Sequence, residues 1–231
     1  MEREKIKLPF KDRFALFWQR IMRDWKNILF KYIIFLGVFT ILLIIDQVTK
    51  NYIFPKEAFS DDLLRRNLDY NYGIIGFTPL NHHGVTLFKI NKETSFIFIH
   101  ILSVVLFMVL LLTPLFINDY FIVIVLAGIA AGDMGNFIDR MANDNTVKDI
   151  IYSPFFDKWL GRSAGVFNFA DAFIVGGIVI VVFYMFNKSA ANSPMERLED
   201  ENMAYELFVD PVVLEALEEE KKKKGIEKIL E

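Results

Sequence analysis

Four apolar blocks interrupt an otherwise polar chain. They are Ile28–Ile45, Phe96–Ile117, about Tyr120–Ile138 and about Val166–Phe186. Each is apolar on all sides rather than along one stripe, the pattern of a helix surrounded by lipid. The third and fourth are short. The clean part of the third, Tyr120–Ala131, has only about 12 residues, against roughly 20 for a span. It crosses a bilayer only if Gly132–Ile138 also lies at membrane depth. The fourth reaches full length only by including Asn168 and Asp171. Polar groups at that depth are costly and mark candidate functional sites.

Between the first two blocks, residues 51–94 form a polar connection with alternating stretches such as Gly73–Leu80, which predict short strands. Residues 139–165 form a second connection, with Tyr152, Phe155, Phe156 and Trp159 suited to a membrane interface. The expected fold is therefore membrane all-α: four transmembrane helices with a small β-containing extracytoplasmic subdomain. Phe14, Phe17, Trp18, Ile21, Trp25 and Ile28 recur at helical spacing among Lys11, Arg13, Arg20, Arg23 and Lys26. This predicts a basic amphipathic helix over 1–27, lying on an anionic membrane surface. Residues 28–186 form the four-span core. Residues 187–231, rich in Glu and carrying Lys221–Lys224, read as a charged tail. Lys31, at the start of the first span, is expected to snorkel to the interface.

Composition supports the membrane class: 54% of the 231 residues are hydrophobic and 15% aromatic. The net charge of −3 conceals a basic N-terminus and an acidic C-terminal region. By the positive-inside rule the N-terminus is cytoplasmic, and four spans return the C-terminus to the same side. Asp46, Asn136, Asp139, Arg140, Asp149, Asn168 and Asp171 then all fall at the outer face. That convergence argues for one site.

The chain has no cysteine, which removes thiolate, disulfide and Cys–metal chemistry. It has no H-E-x-x-H, Walker or dinucleotide motif. The three histidines lack ligand spacing with an acid. His82-His83 reads as a polar loop and His100 as a hydrogen-bonded structural histidine. Several carboxylates in a partly dehydrated place point instead to paired-acid chemistry. Like-charge repulsion keeps one acid protonated and the other ionised, which allows water activation without metal or cofactor. Spacing alone leaves the pair open among Asp46, Asp133, Asp139, Asp149 and Asp171. Each also has a plain reading as a helix-end cap. An Asp139–Arg140 pair would hold Asp139 ionised in a structural role, and Arg140 has a plain reading as a side chain snorkelling to lipid phosphate.

These residues resemble the lipoprotein signal peptidases (signal peptidase II), four-span aspartic peptidases of bacterial inner membranes. The resemblance covers roughly residues 28–186. Asp46-Gln47-x-x-Lys50 is similar to the first motif of that family. Ala131-Gly132-Asp133-Met134-Gly135-Asn136-Phe137-Ile138-Asp139-Arg140 is similar to its G-G-x-x-G-N-x-x-D-R. Val147-Lys148-Asp149-Ile150 resembles its V-x-D-[FI], and Phe167-Asn168-Phe169-Ala170-Asp171 its F-N-x-A-D. The resemblance implies Asp149 and Asp171 as the catalytic dyad. Asp46, Lys50, Asn136, Asp139, Arg140 and Asn168 would support the site or bind substrate. It implies a diacylglyceryl-modified prolipoprotein as substrate, cut before its lipidated Cys.

Three departures stand out. Asp133 replaces a small or apolar residue. The Asp139–Asp149 interval is a residue longer than is common. The N-x-G-x-x-F loop has two partial counterparts, Asn71-Tyr72-Gly73 and His82-His83-Gly84-Val85, of which the second is better placed. His83 and Gly84 are therefore the expected substrate contacts of that loop.

The expected protein is a monomeric, multi-pass peptidase of the bacterial cytoplasmic membrane, needing no cofactor and binding lipid and lipidated substrate but no nucleic acid. The alternative is a small proton-coupled transporter with Asp46, Asp139 and Asp171 as a relay. It predicts acids spread through membrane depth and an inverted repeat. A non-catalytic scaffold, recruiting partners through the basic helix and tail, is a third reading; it would tolerate loss of the dyad.

Overall fold

The structure is a computed structural model that describes residues 10–82 and 92–191. His83 and Gly84 lie outside the described residues, as does most of the charged tail. Four described helices are long and apolar enough to cross a membrane: Phe17–Tyr52, Phe96–Phe116, Tyr120–Ala142 and Phe169–Asn187.

Helix α1 runs from Phe10 to Tyr52, far longer than the first apolar block, with one non-helical residue at Asp24. Phe14, Trp18, Met22 and Trp25 are all exposed at helical spacing along it. Residues 1–29 and 184–231 group as one unit and residues 30–183 as another. The second unit carries the site.

After α1 come a 3-10 helix (Lys56–Phe59), helix α2 (Asp62–Asn67), strands β1 (Tyr70–Asn71) and β2 (Gly76–His82), and helix α3 (Lys92–Phe116). Helix α4 (Tyr120–Ala142) begins at Asp119, whose side chain accepts from the N–H groups of Phe121 and Ile122. That is the N-cap expected of an acid at a helix start. Strand β3 (Val147–Tyr152), helix α5 (Pro154–Leu160), strand β4 (Val166–Phe167) and helix α6 (Phe169–Ala191) complete the described chain.

The helices bury Phe35, Leu110, Val123, Ala127, Ile129 and Ala130 against one another. Their other faces leave large apolar side chains exposed, as a bilayer-embedded bundle requires. Four antiparallel strands form one sheet in the order β1-β2-β3-β4. Beneath it Phe54, Ala58, Phe59, Ile150 and Ile151 form a second core.

The alternating Gly73–Leu80 stretch supplies the turn, with Gly73 at φ +85°, and most of the second strand of a hairpin whose first strand is Tyr70–Asn71. Asn71 Oδ1 accepts from Gly73 N–H at 2.9 Å, so Asn71-Tyr72-Gly73 serves as the turn itself. Strand β3 has no alternating signal, because Val147–Ile151 are all buried and include Lys148 and Asp149.

Two expectations are corrected. The fourth helix starts at Phe169, not Val166, because Val166 and Phe167 pair with Tyr152 and Ile151 in the sheet. Lys31 does not snorkel: it is 1% exposed, and its ammonium donates to Ile117 O at 2.9 Å and Asn118 Oδ1 at 3.2 Å. It thereby satisfies an orphan carbonyl just beyond the end of α3.

Candidate active site

At the other end of the bundle, a second buried lysine of α1 organises the polar residues. Lys50 is fully buried. Its three ammonium donors meet Asp46 Oδ2 at 2.8 Å, Asp139 Oδ2 at 3.0 Å and Asn136 Oδ1 at 3.0 Å. A buried ammonium needs this full set of acceptors. Asp139 is therefore paired with Lys50, not with its neighbour Arg140 as the sequence suggested. Its Oδ2 also accepts from the Lys148 N–H at 3.2 Å, tying the last turn of α4 to β3.

Asp46 faces the start of α6. Its Oδ1 accepts from the Ala170 N–H at 2.9 Å. A carboxylate there satisfies an orphan donor and lies favourably in the helix dipole. Gln47 donates to both Asp46 Oδ2 and Gly135 O. The close approach requires glycine at 135, where a Cβ would overlap the Asp46 carboxylate.

The Lys50 ammonium settles which way the Asn136 amide faces. With Oδ1 taken, Nδ2 donates to Asp171 Oδ1 at 2.8 Å. Asn168 Nδ2 donates to Asp149 Oδ1 at 2.8 Å and to Asn136 Oδ1 at 3.2 Å. Asn168 and Asp171 also form a reciprocal cap. Asn168 Oδ1 accepts from the Asp171 N–H at 2.9 Å, and Asp171 Oδ2 accepts from the Asn168 N–H at 3.3 Å. The plain reading of Asp171 as a helix cap thus holds alongside its place in the cluster. Two linked amides hold Asp149 and Asp171, one acid each.

Asp149 is 4% exposed. Burial, and next the nearby Asp171 charge, push its carboxyl up to about 7, against the opposing pull of the Asn168 hydrogen bond and Lys50. An acid that holds its proton near neutrality, beside a second acid, is suited to general acid–base work. Arg140 lies within Coulombic reach of Asp171, Asp133, Asp139 and Asp149, and its buried Nε makes no hydrogen bond. It thus lies among the acids. Among the described residues no group of three or more His, Cys, Asp or Glu is arranged to hold a metal ion.

A family model described as "Signal peptidase (SPase) II" matches residues 38–187. The chain belongs to this family. It is an aspartic peptidase and a membrane protein with four candidate spans. Two solved structures, each described as a bacterial membrane enzyme studied by the in meso method, share the fold. The first is 19% identical with a TM-score of 0.56, covering 69% of this chain and 92% of its own. The second is 21% identical with a TM-score of 0.54, covering 65% and 91%. A search of the curated proteins gave no match. The basic helix and the charged tail fall mostly outside the family match.

The structure of this peptidase brings together Asp46, Lys50, Asn136, Asp139, Arg140, Asp149, Asn168 and Asp171. Asp133 meets this cluster only through the charge of Arg140: it is 7% exposed, bonds to Ser103 of α3, and has one carboxylate oxygen without a hydrogen bond. His100 behaves partly as expected, with Nδ1 bonded to Phe96 O at 2.6 Å and Nε2 without a partner. Sequence reasoning gave no role to Asn51 or Lys148. Lys148 occupies the variable position of V-x-D-[FI], so the motif carried no signal for it.

Proposed function

We propose that this signal peptidase cleaves diacylglyceryl-modified prolipoproteins before the lipidated Cys, with Asp149 and Asp171 as its catalytic dyad. The observation that carries the reading is the pair of linked amides, Asn136 and Asn168, each donating to one of these two acids. Asp46, Lys50 and Asp139 act by fixing the amides and the start of α6. Arg140 balances charge. His83 and Gly84 contact substrate from the β2–α3 connection.

The pair works with one shared proton, which burial favours on Asp149. Asp171 takes a proton from water as the water oxygen attacks the scissile amide carbon. Asp149 gives its proton to the carbonyl oxygen, producing a neutral tetrahedral diol. Asp171 then passes its proton to the departing nitrogen as the C–N bond breaks. Asp149 regains a proton from the diol hydroxyl as the product carboxyl forms. Protons and electrons balance without a metal. The enzyme sits in the bacterial cytoplasmic membrane with both termini inside and the site at the outer face. The functional core is residues 28–186, flanked by the interfacial helix and the cytoplasmic tail.

The test is cleavage of a lipidated prolipoprotein in detergent by Asp149→Asn and Asp171→Asn. Each is expected to lose at least about a thousandfold in kcat, the scale of losing an acid–base group and its charge together. Near-normal cleavage by either variant refutes the dyad. Activity removed by EDTA and restored by a divalent metal refutes a cofactor-free mechanism.

A further inference from the structure

Lys148 precedes the proposed dyad acid Asp149 and is held at three points. Its backbone N–H donates to Asp139 Oδ2 at 3.2 Å. Its carbonyl accepts from Asn168 Nδ2 at 3.4 Å. Its ammonium donates to Asn51 Oδ1 at 2.7 Å and lies 5.6 Å above the Phe59 ring. Asn51 is itself oriented, because its Nδ2 donates to Gln47 O at 2.8 Å. The ammonium thus lies at the C-terminal turn of α1, where the helix dipole favours a cation.

Residues adjacent in a strand point to opposite faces. Lys148 therefore reaches toward Asn51 and Phe59, while Asp149 reaches toward Asn168. Both are buried, at 6% and 4% exposure. A long flexible cation is an expensive choice for such a position. Burial pulls its amine below the ordinary lysine value, with Asp139 opposing and Lys56 and Lys50 adding. An apolar residue would fill the same space against Phe59 without that cost. What lysine supplies is a directional tie across to α1, the helix that also carries Asp46 and Lys50.

We propose that Lys148 is a positioning residue: its ammonium clamps β3 onto Asn51 and Phe59, and so sets the Asp149 carboxyl against Asn168. The proposal rests on the reading of Asp149 as a dyad acid. Lys148 acts through position, its ammonium meeting Asn51 and the Phe59 ring. The neighbouring charges that bear on the Asp149 proton are Asp171, Lys50, Asp139 and Arg140. Those facing Lys148 are Asp139, Lys56 and Lys50.

The experiment compares full-length wild type, Lys148→Met and Asn51→Leu on a peptide bearing a diacylglyceryl-modified cysteine. Active enzyme is counted by circular dichroism and size exclusion before each assay. Lys148→Met is expected to lower kcat about tenfold to a hundredfold with KM unchanged, the scale of a small misplacement of a reacting group. Loosening the Asn168–Asp149 bond removes a contact that favours the carboxylate. The basic limb of the kcat profile therefore moves to higher pH. Asn51→Leu should reproduce both effects, and the double variant should be no worse than the single ones. A merely structural role would lower the amount of folded enzyme and leave kcat, KM and the pH limb in place; that outcome overturns the proposal. So does wild-type behaviour of Lys148→Met. If Lys148→Met does not fold, Asn51→Leu decides by the same criteria; if Asn51→Leu does not fold either, the clamp holds the fold rather than the acid and the proposal fails. Normal cleavage by Asp149→Asn would instead remove the dyad reading beneath it, so the two failures are distinguishable.

Discussion

Helix α1 carries two buried lysines, Lys31 and Lys50, about 28 Å apart at 1.5 Å per residue. Both are essentially inaccessible, yet they meet different surroundings. Lys31 donates to the Ile117 carbonyl and the Asn118 side chain, closing the turn between α3 and α4. Lys50 draws Asp46, Asp139 and Asn136 around one ammonium, and through Asn136 reaches Asp171. The first is a pin between helices. The second sets the direction in which the side chains of the acid cluster face. A buried cation therefore reveals its role through its partners, not through its depth.

Removing Lys50 has the largest expected effect. Lys50→Met leaves the Asp46 and Asp139 carboxylates buried and uncompensated, a loss of about 3–5 kcal/mol. Cleavage should disappear, and thermal unfolding in detergent should move sharply downward; retained activity would show that Lys50 is no hub. Gly135→Ala drives a methyl group into the Asp46 carboxylate. Overpacking of this kind costs about 1–3 kcal/mol. The variant should lose most of its kcat, whereas alanine at Gly37, which has open space beside it, should be silent by the same assay.

A smaller effect comes from pH. Asp149 keeps its proton up to about 7. Its raised value means the folded state binds the extra proton, so stability falls as pH rises from the ordinary carboxylate range to about 7 and levels off above it, while the protonated form of the proposed pair is lost as pH passes that value. The rate should fall about tenfold per pH unit on that limb. An activity plateau extending to pH 9 would contradict this. Lys31→Met has the least effect on chemistry. It should lower stability by about 1–3 kcal/mol, the scale of one unsatisfied buried polar group. The kcat per folded molecule should match wild type; a changed kcat would mean that the pin and the hub are coupled.

The exposed surfaces of the bundle follow from the same division. Helices α3 and α6 present large apolar side chains outward over most of their length, as lipid-facing helices do. Helix α4 is different: from Ala127 to Gly132 it is buried throughout, and its acids and amides face inward. Asp46, Asp139, Asp149 and Asp171 gather at one end of the bundle instead of being spread through membrane depth, which disfavours a proton relay.

The residue pattern alone discloses the spans, because lipid demands long unbroken apolar runs and any departure is visible. It also located the polar motifs, because acids at membrane depth are conspicuous. Spacing left the dyad open among five acids, and the resemblance selected two. It erred where geometry runs through space. Asp139 has Arg140 beside it in the chain but Lys50 beside it in the fold. Lys31 lies at the start of an apolar run yet is enclosed by protein rather than lipid. Strand β3 was illegible because a strand buried on both faces has no alternation. The Asn51–Lys148 tie joins residues 97 apart, and nothing local requires it. Only the tertiary structure decided how Asn136 and Asn168 face. An amide can turn either way, and the Lys50 ammonium and the start of α6 leave each one orientation that satisfies every partner.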